Sequence, residues 1–303
     1  MTDSSTRPPL VSVLVPTRNS ARYLERCLRS IRDQTYLPIE IIVSDNESED
    51  LTEAIARSYA DVFLVGGSER SAQVNAAAKV ARGEFIFRVD SDFELEPDVV
   101  RECVTLATSG YDAVIVHNSP DTSVGHLARI RKFEVDMYKF SYDHSAARFM
   151  PRHVFLELGG FREDLTAGED YDLQNRIAKA NFRVGFCTSE ALHLDEPRRL
   201  LTLLKKYYLY GRDFPNYRSY NQAESRRQLA FFRRDYFRCW RSFIRHPFLG
   251  VEFLCYHILK YAAGAAGYWV AILSASWLGS LTRCKRLDEA ARPHTGSKEG
   301  PPV

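Results

Sequence analysis

Along residues 10–120, short apolar runs alternate with stretches whose apolar positions recur every three or four residues. Val11-Ser12-Val13-Leu14-Val15 reads as a strand that stops at Pro16. Residues 21–34 put Tyr23, Leu24, Cys27, Leu28 and Ile31 on one helical face. Ile39-Glu40-Ile41-Ile42-Val43 is the next strand, and residues 50–59 form a helix with acids in its first turn. A strand at 62–65, an Ala-rich helix at 70–81 and the strand Phe85-Ile86-Phe87-Arg88-Val89 follow. A helix at 99–108 and a strand at 113–116 complete the series. This alternation predicts a parallel, doubly wound α/β sheet. Ligands of such sheets bind at the carboxyl ends of the strands. The polar loops there are Thr17-Arg18-Asn19, Ser44-Asp45-Asn46 and Asp90-Ser91-Asp92.

Residues 121–197 are less regular. Helices are expected over 125–138 and 170–179 and a strand over 183–187, followed by the polar cluster His193-Leu194-Asp195-Glu196. From 198 the pattern turns helical. The expected organisation is a disordered N-terminus (1–9), an α/β domain (10–197), a helical appendage (198–286) and a disordered tail (287–303).

Charge sharpens that division. The chain's formal net charge is only +2, but residues 1–197 hold 22 Lys/Arg against 32 Asp/Glu, and residues 198–245 hold 13 against 3. In the basic stretch, arginines such as Arg226, Arg234 and Arg241 alternate with aromatics such as Phe231, Tyr236 and Trp240. Basic residues among aromatics suit an anionic surface, either nucleic acid or a lipid leaflet. The uncharged stretch 261–281, ending at Arg283, Lys285 and Arg286, favours lipid and argues against nucleic acid. Its small residues, Ala262-Ala263-Gly264-Ala265-Ala266-Gly267, suit close helix packing. The expectation is a peripheral or monotopic protein on the cytoplasmic face of a membrane. A single span and a packed soluble helix pair that could serve as a homo-oligomer contact are the alternatives. The polar N-terminus predicts no signal peptide, and six scattered cysteines show no zinc or CxxC spacing.

Two carboxylates two residues apart at a strand end, Asp90 and Asp92, suit Mg²⁺ or Mn²⁺, which bind through one or two carboxylates plus substrate phosphates. Helix capping is the plainer explanation of such acids. A second acid cluster, Glu169, Asp170 and Asp172, opens a helix whose positive end stabilises negative charge. No Walker A or GxGxxG pattern is present, which argues against a dinucleotide enzyme.

Six motifs in order resemble glycosyltransferase family 2, with its GT-A fold, over roughly 10–197. They are Val13 to Asn19; Ile42 to Asp50; Arg70-Ser71-Ala72-Gln73-Val74-Asn75 with Ala81 to Ile86; the Asp90/Asp92 pair; Gly159-Gly160-Phe161-Arg162-Glu163; and Gly168-Glu169-Asp170-Tyr171-Asp172-Leu173. The resemblance implies an inverting, metal-dependent transfer from a nucleotide-sugar donor. Pro16, Thr17 and Asp45 would cradle the base, with Arg18 and Glu169 in the donor-binding set and Arg70 near base or phosphates. Asp90 would touch ribose or metal, Asp92 would hold the metal, and His193 would lie near metal or diphosphate. Asp170 would be the general base, with Asp164 or Glu163 as substitutes. The acceptor is expected to be a lipid-linked or other glycan hydroxyl or phosphate. A sugar nucleotidyltransferase and a non-catalytic scaffold of the same fold remain as alternatives.

Overall fold

The computed structural model describes residues 7–290, with side chains described through 274. Residues 1–6 and 291–303, parts of the expected disordered ends, lie outside the described residues. So do the side chains of 275–281, the end of the uncharged stretch.

In chain order the elements begin β1 (Val11–Thr17), α1 (Ala21–Arg32), β2 (Ile39–Asp45), α2 (Thr52–Tyr59), β3 (Val62–Val65) and α3 (Arg70–Val80). Next come β4 (Phe85–Arg88), β5 (Phe93–Leu95), α4 (Val99–Thr108), β6 (Ala113–Pro120), α5 (His126–Asp136) and β7 (Phe149–Pro151). The α/β part closes with α6 (Arg152–Glu157), α7 (Glu169–Lys179) and β8 (Val184–His193). The helices α8 (Leu200–Tyr220), α9 (Gln222–Gln228), α10 (Arg234–Arg238), α11 (Trp240–Arg245) and α12 (Pro247–Ala290) follow.

The strands form one sheet of eight in the order β3-β2-β1-β4-β7-β6-β8-β5. β3, β2, β1 and β4 run parallel, as do β6 and β8. β7 is antiparallel to β4 and β6, and β5 is antiparallel to β8. Alternation along β1 builds two cores. Val11, Val13 and Val15 pack with Leu24, Cys27 and Ile31 of α1 and Val99 and Cys103 of α4. Leu14 packs on the other face with Val74, Ala77 and Ala78 of α3 and Leu173 and Ile177 of α7. Both faces are thus covered by helices, as a parallel sheet requires.

The structure lengthens several expected strands. β1 runs through Pro16 to Thr17, because its ladder with β4 ends at Leu14 and the missing N–H of Pro16 leaves no gap on that side. β8 continues past Cys187 to His193 beside β6, after a register shift between Ile115 and His117. The polar run Thr188-Ser189-Glu190 hid this continuation. Its backbone is held by Glu102, whose carboxylate accepts from Thr188 N (2.9 Å) and Ser189 N (3.1 Å). Strands β5 and β7 are three residues long, too short for any periodicity to reveal.

The C-terminal helices share a third core with α5: Ile130, Phe133 and Met137 meet Leu203 of α8 and Phe253 and Tyr256 of α12. The small-residue stripe is used here. A Cβ on Gly211 would come 2.0 Å from the Gly264 carbonyl oxygen, and one on Gly267 would come 2.0 Å from that of Tyr208. α8 and α12 therefore cross in backbone contact. No helix among the described residues is long and apolar enough to cross a membrane.

Candidate active site

The carboxyl ends of β1 and β4, the start of α7 and the end of β8 open into one cleft of about 880 Å³. Of the residues singled out from sequence, Pro16, Thr17, Arg18, Arg70, Asp90, Asp92, Glu169, Asp170 and His193 all line it. Asp45 does not. It is 3% exposed, and its oxygens accept from Thr17 Oγ1 (2.7 Å), Ser48 Oγ (2.6 Å) and Ser48 N (2.8 Å). Asp45 therefore shapes the loop behind Thr17 instead of facing the cleft. Gln73 holds the same edge by donating to the carbonyls of Thr17 (2.8 Å) and Ser44 (2.6 Å).

A chain of charges crosses the cleft floor. Arg70 pairs with Glu169, Arg88 lies 3.4 Å from Glu169 and 3.0 Å from Asp90, and Arg148 reaches Asp90 at 2.9 Å. Burial works against ionising Asp90, but Arg88, Arg148 and Arg70 outweigh it and hold the carboxyl well below its usual range. Glu169 is 2% exposed, so its part in this site is to hold two guanidiniums in place. Both Asp90 oxygens are taken by arginines.

Asp92 makes a different arrangement. Its Oδ2 lies 3.0 Å from His193 Nε2, and His193 Nδ1 lies 2.5 Å from Glu196, which Arg131 pairs from α5. Burial opposes charge on His193, yet hydrogen bonds with Asp92 and Glu196 lift its pKa to about 9. A carboxylate fixing the far nitrogen of an imidazole is how metal-binding histidines are oriented. Among the described residues no group of three His, Cys, Asp or Glu side chains is arranged to hold a metal ion. Asp92 and His193 do form an oxygen–nitrogen pair on the cleft wall. With the Nε2 proton released as the ion binds, such a pair fits a divalent cation whose other ligands are phosphate oxygens.

Asp170 sits in the first turn of α7, whose N-cap is Gly168 at φ 81°, in the left-handed region. A Cβ there would meet the Tyr217 ring at 2.9 Å, so glycine is required twice over. Gly168 offers no side-chain cap, and Asp170 Oδ1 itself accepts from the first-turn N–H of Tyr171 at 2.8 Å. The candidate substitute bases are engaged elsewhere: Glu163 accepts from Asn75 (2.9 Å) and Asp164 from Tyr220 (2.6 Å).

Several cleft residues carried no sequence signal. Arg148, Arg131, Tyr138, His144 and Lys260 meet their partners across tens of residues. Arg88 had one: a charge inside the apolar run Phe85-Ile86-Phe87 must find a partner once the strand is buried. Among the histidines without a sequence pattern, His117 meets Asp136 (3.3 Å), His126 meets Glu252 (3.0 Å) and His144 meets Asp235 (3.1 Å).

Comparison with known proteins finds that residues 12–159 match the model of Glycosyl transferase family 2. The chain is 28% identical over 186 residues to an uncharacterized glycosyltransferase of Rickettsia typhi, covering 56% of this chain and 58% of that protein. It is 26% identical over 248 residues to the hyaluronan synthase of Pasteurella multocida, covering 76% of this chain but 25% of the synthase. The chain thus spans between a quarter and about three fifths of these relatives' lengths. Among solved structures it resembles a mannosyltransferase of Pyrobaculum calidifontis in complex with GDP-Man and Mn²⁺. That match has TM-score 0.57 and 21% identity over 94% of this chain and 80% of the other. It also resembles S. aureus TarS 1-349 in complex with UDP, with TM-score 0.51 and 16% identity over 88% and 91%.

Proposed function

The chain belongs to glycosyltransferase family 2, and from that premise we propose that it moves a sugar, with inversion, from a nucleoside diphosphate donor to an acceptor hydroxyl or phosphate. The observation that carries this reading is that Asp170 shares one cleft with the Asp92–His193 pair. Inversion is a single displacement, so one carboxylate must accept the acceptor's proton as the nucleoside diphosphate leaves. In this reading Asp170 Oδ takes that proton, while Glu163 and Asp164 are engaged by Asn75 and Tyr220. Pro16, Thr17 and Arg18 border the base, with Asp45 supporting them from behind. Arg70, held by Glu169, faces the phosphates.

Asp92 and His193 would hold Mg²⁺ or Mn²⁺, and such a cation supplies charge neutralisation for the leaving diphosphate. The mannosyltransferase neighbour with its Mn²⁺ is consistent with that. Asp90 is assigned to the arginines and not to the metal.

The acceptor in this reading is lipid-linked. Support comes from the outer face of residues 229–258, where Phe232 (74% exposed), Trp240 (54%) and Phe248 (86%) stand among Arg234, Arg238, Arg241 and Arg245. An apolar face studded with cations suits an anionic leaflet.

The experiment is a comparison of Asp170→Asn with the unaltered chain, supplied with a donor that it turns over. The variant is expected to bind nucleotide normally and to transfer no sugar. Unchanged transfer would remove Asp170 from the role of base.

A further inference from the structure

Beyond the donor half, the cleft continues between α5 and the C-terminal helices, walled by Tyr207, Tyr210, Phe214, Arg233 and Lys260. Most cations around it are neutralised: Lys260 by Glu134, Arg131 by Glu196 and Arg148 by Asp90. Arg233, in the segment before α10, makes no close ion pair among the described residues; the carboxylate that attracts it from farther off, Glu134, is paired with Lys260. Its Nε donates to the Ala230 carbonyl (3.3 Å), and its Nη2 donates to the Gln228 carbonyl (3.2 Å) and Tyr261 Oη (3.1 Å). These bonds lock the arm. Its Nη1 donates to none of the described residues. The guanidinium lies over the Tyr138 ring at 4.9 Å.

A second observation lies on the same ring. The His144 imidazole stacks on Tyr138 at 4.9 Å with an interplanar angle of 27°. Its Nδ1 faces Asp235 Oδ2 at 3.1 Å, which assigns the proton to Nδ1. Its Nε2 is buried without a partner, on a side chain only 8% exposed. Arg131 Nε, also on the cleft, is buried and unpartnered. Orphaned buried nitrogens, and a guanidinium whose attracting carboxylate is already paired with Lys260, are each costly, and they are retained where a ligand supplies the missing oxygens. A neutral saccharide would meet the nitrogens but leave the charge. A carboxylate would meet the charge but bring no proton for the Nε2 lone pair. A phosphate monoanion supplies both.

We propose that this end of the cleft binds a phosphate group of the acceptor, with Arg233 as its charge partner and His144 Nε2 and Arg131 Nε as hydrogen-bonding groups. The proposal rests on the glycosyltransferase reading, because it assigns this end to the acceptor. Burial, then the nearby Arg233, depress the His144 pKa to about 4, so the imidazole is neutral and accepts the P–O–H proton.

Calorimetry on the full chain with farnesyl phosphate, glycerol 3-phosphate and farnesol tests the site. Farnesyl phosphate is expected to bind, Arg233→Gln to weaken it by about tenfold or more, and Arg233→Lys to restore most of the loss. His144→Gln should weaken it by a few-fold. None of these variants should change nucleoside diphosphate binding, which also serves as the control for folding. Glycerol 3-phosphate binding as tightly, with the same dependence on Arg233, would keep the site and make its source a soluble phosphate. The proposal is overturned if farnesol binds as tightly as farnesyl phosphate. It is also overturned if Arg233→Gln leaves phosphate binding unchanged, or if neither phosphate binds a chain that still binds nucleotide. A chain that binds no nucleotide at all would sink the glycosyltransferase reading beneath it.

Discussion

Single carboxylates in this cleft do different work according to what surrounds them. Asp90 and Asp92 are two residues apart, yet one is clamped by Arg88 and Arg148 while the other faces His193. Spacing marked both as metal ligands, and only the partners separate them. Arg88 is two positions from Asp90, but Arg148 and His193 lie 58 and 101 positions from their partners, so the local pattern alone did not divide the roles. Asp170 was legible because it opens a helix. Its Oδ1 accepts from the Tyr171 N–H, so the same carboxylate serves the helix end and faces the cleft. The two readings predict different losses. A general base is worth about 10²–10⁴ in rate, so Asp170→Asn should cut turnover by at least about a hundredfold. A mere cap would leave turnover intact and cost about 0.5–2 kcal/mol of stability, visible as a lower Tm alone.

Elements were legible where they were long and regular. The alternation of β1, β2 and β4 with α1 to α3 follows directly from apolar spacing, because each helix buries one stripe against one sheet face. The antiparallel β5 and β7, and the second half of β8, were not. Their pairing is decided by neighbours such as Glu102, which satisfies backbone N–H groups at the bulge. The α8–α12 crossing shows the opposite case, in which a sequence feature was visible but open in meaning. The Ala/Gly stripe suited helix packing, an interface or a span, and the structure uses it for packing through Gly211, Gly264 and Gly267. Gly267→Val should therefore push the helices apart at the Tyr208 carbonyl. We expect a loss of at least about 1–3 kcal/mol, the usual cost of overpacking, measured by denaturant unfolding. The same change at Gly264, whose Cβ would meet only the Tyr207 carbonyl at 3.8 Å, should cost less. Equal stability of both variants would show that the crossing is not tight.

At the scale of the whole molecule, the acidic α/β part and the basic helical part are joined through the core of α5, α8 and α12, and the cleft runs across the junction. The charge division along the chain was legible; that the helical part completes the cleft was not, since this depends on pairs between distant segments such as Glu134–Lys260. The exposed arginines and aromatics of 229–258 predict binding to vesicles containing anionic lipid. Binding should weaken steeply with added salt, as the Debye length shrinks from about 10 Å at 0.1 M to about 3 Å at 1 M. Cosedimentation equal with neutral and anionic vesicles, or none with either, would remove the membrane role.

The central claim is a metal-assisted nucleotide-sugar site built on Asp92 and His193. The most direct measurement is calorimetric titration of UDP, GDP, dTDP and CDP into the full chain, with and without Mn²⁺, beside Asp92→Asn. One nucleotide is expected to bind tightly, Mn²⁺ to be needed, and Asp92→Asn to lose the Mn²⁺-dependent part. Binding of none of the four, or binding indifferent to both Mn²⁺ and Asp92, would contradict the claim.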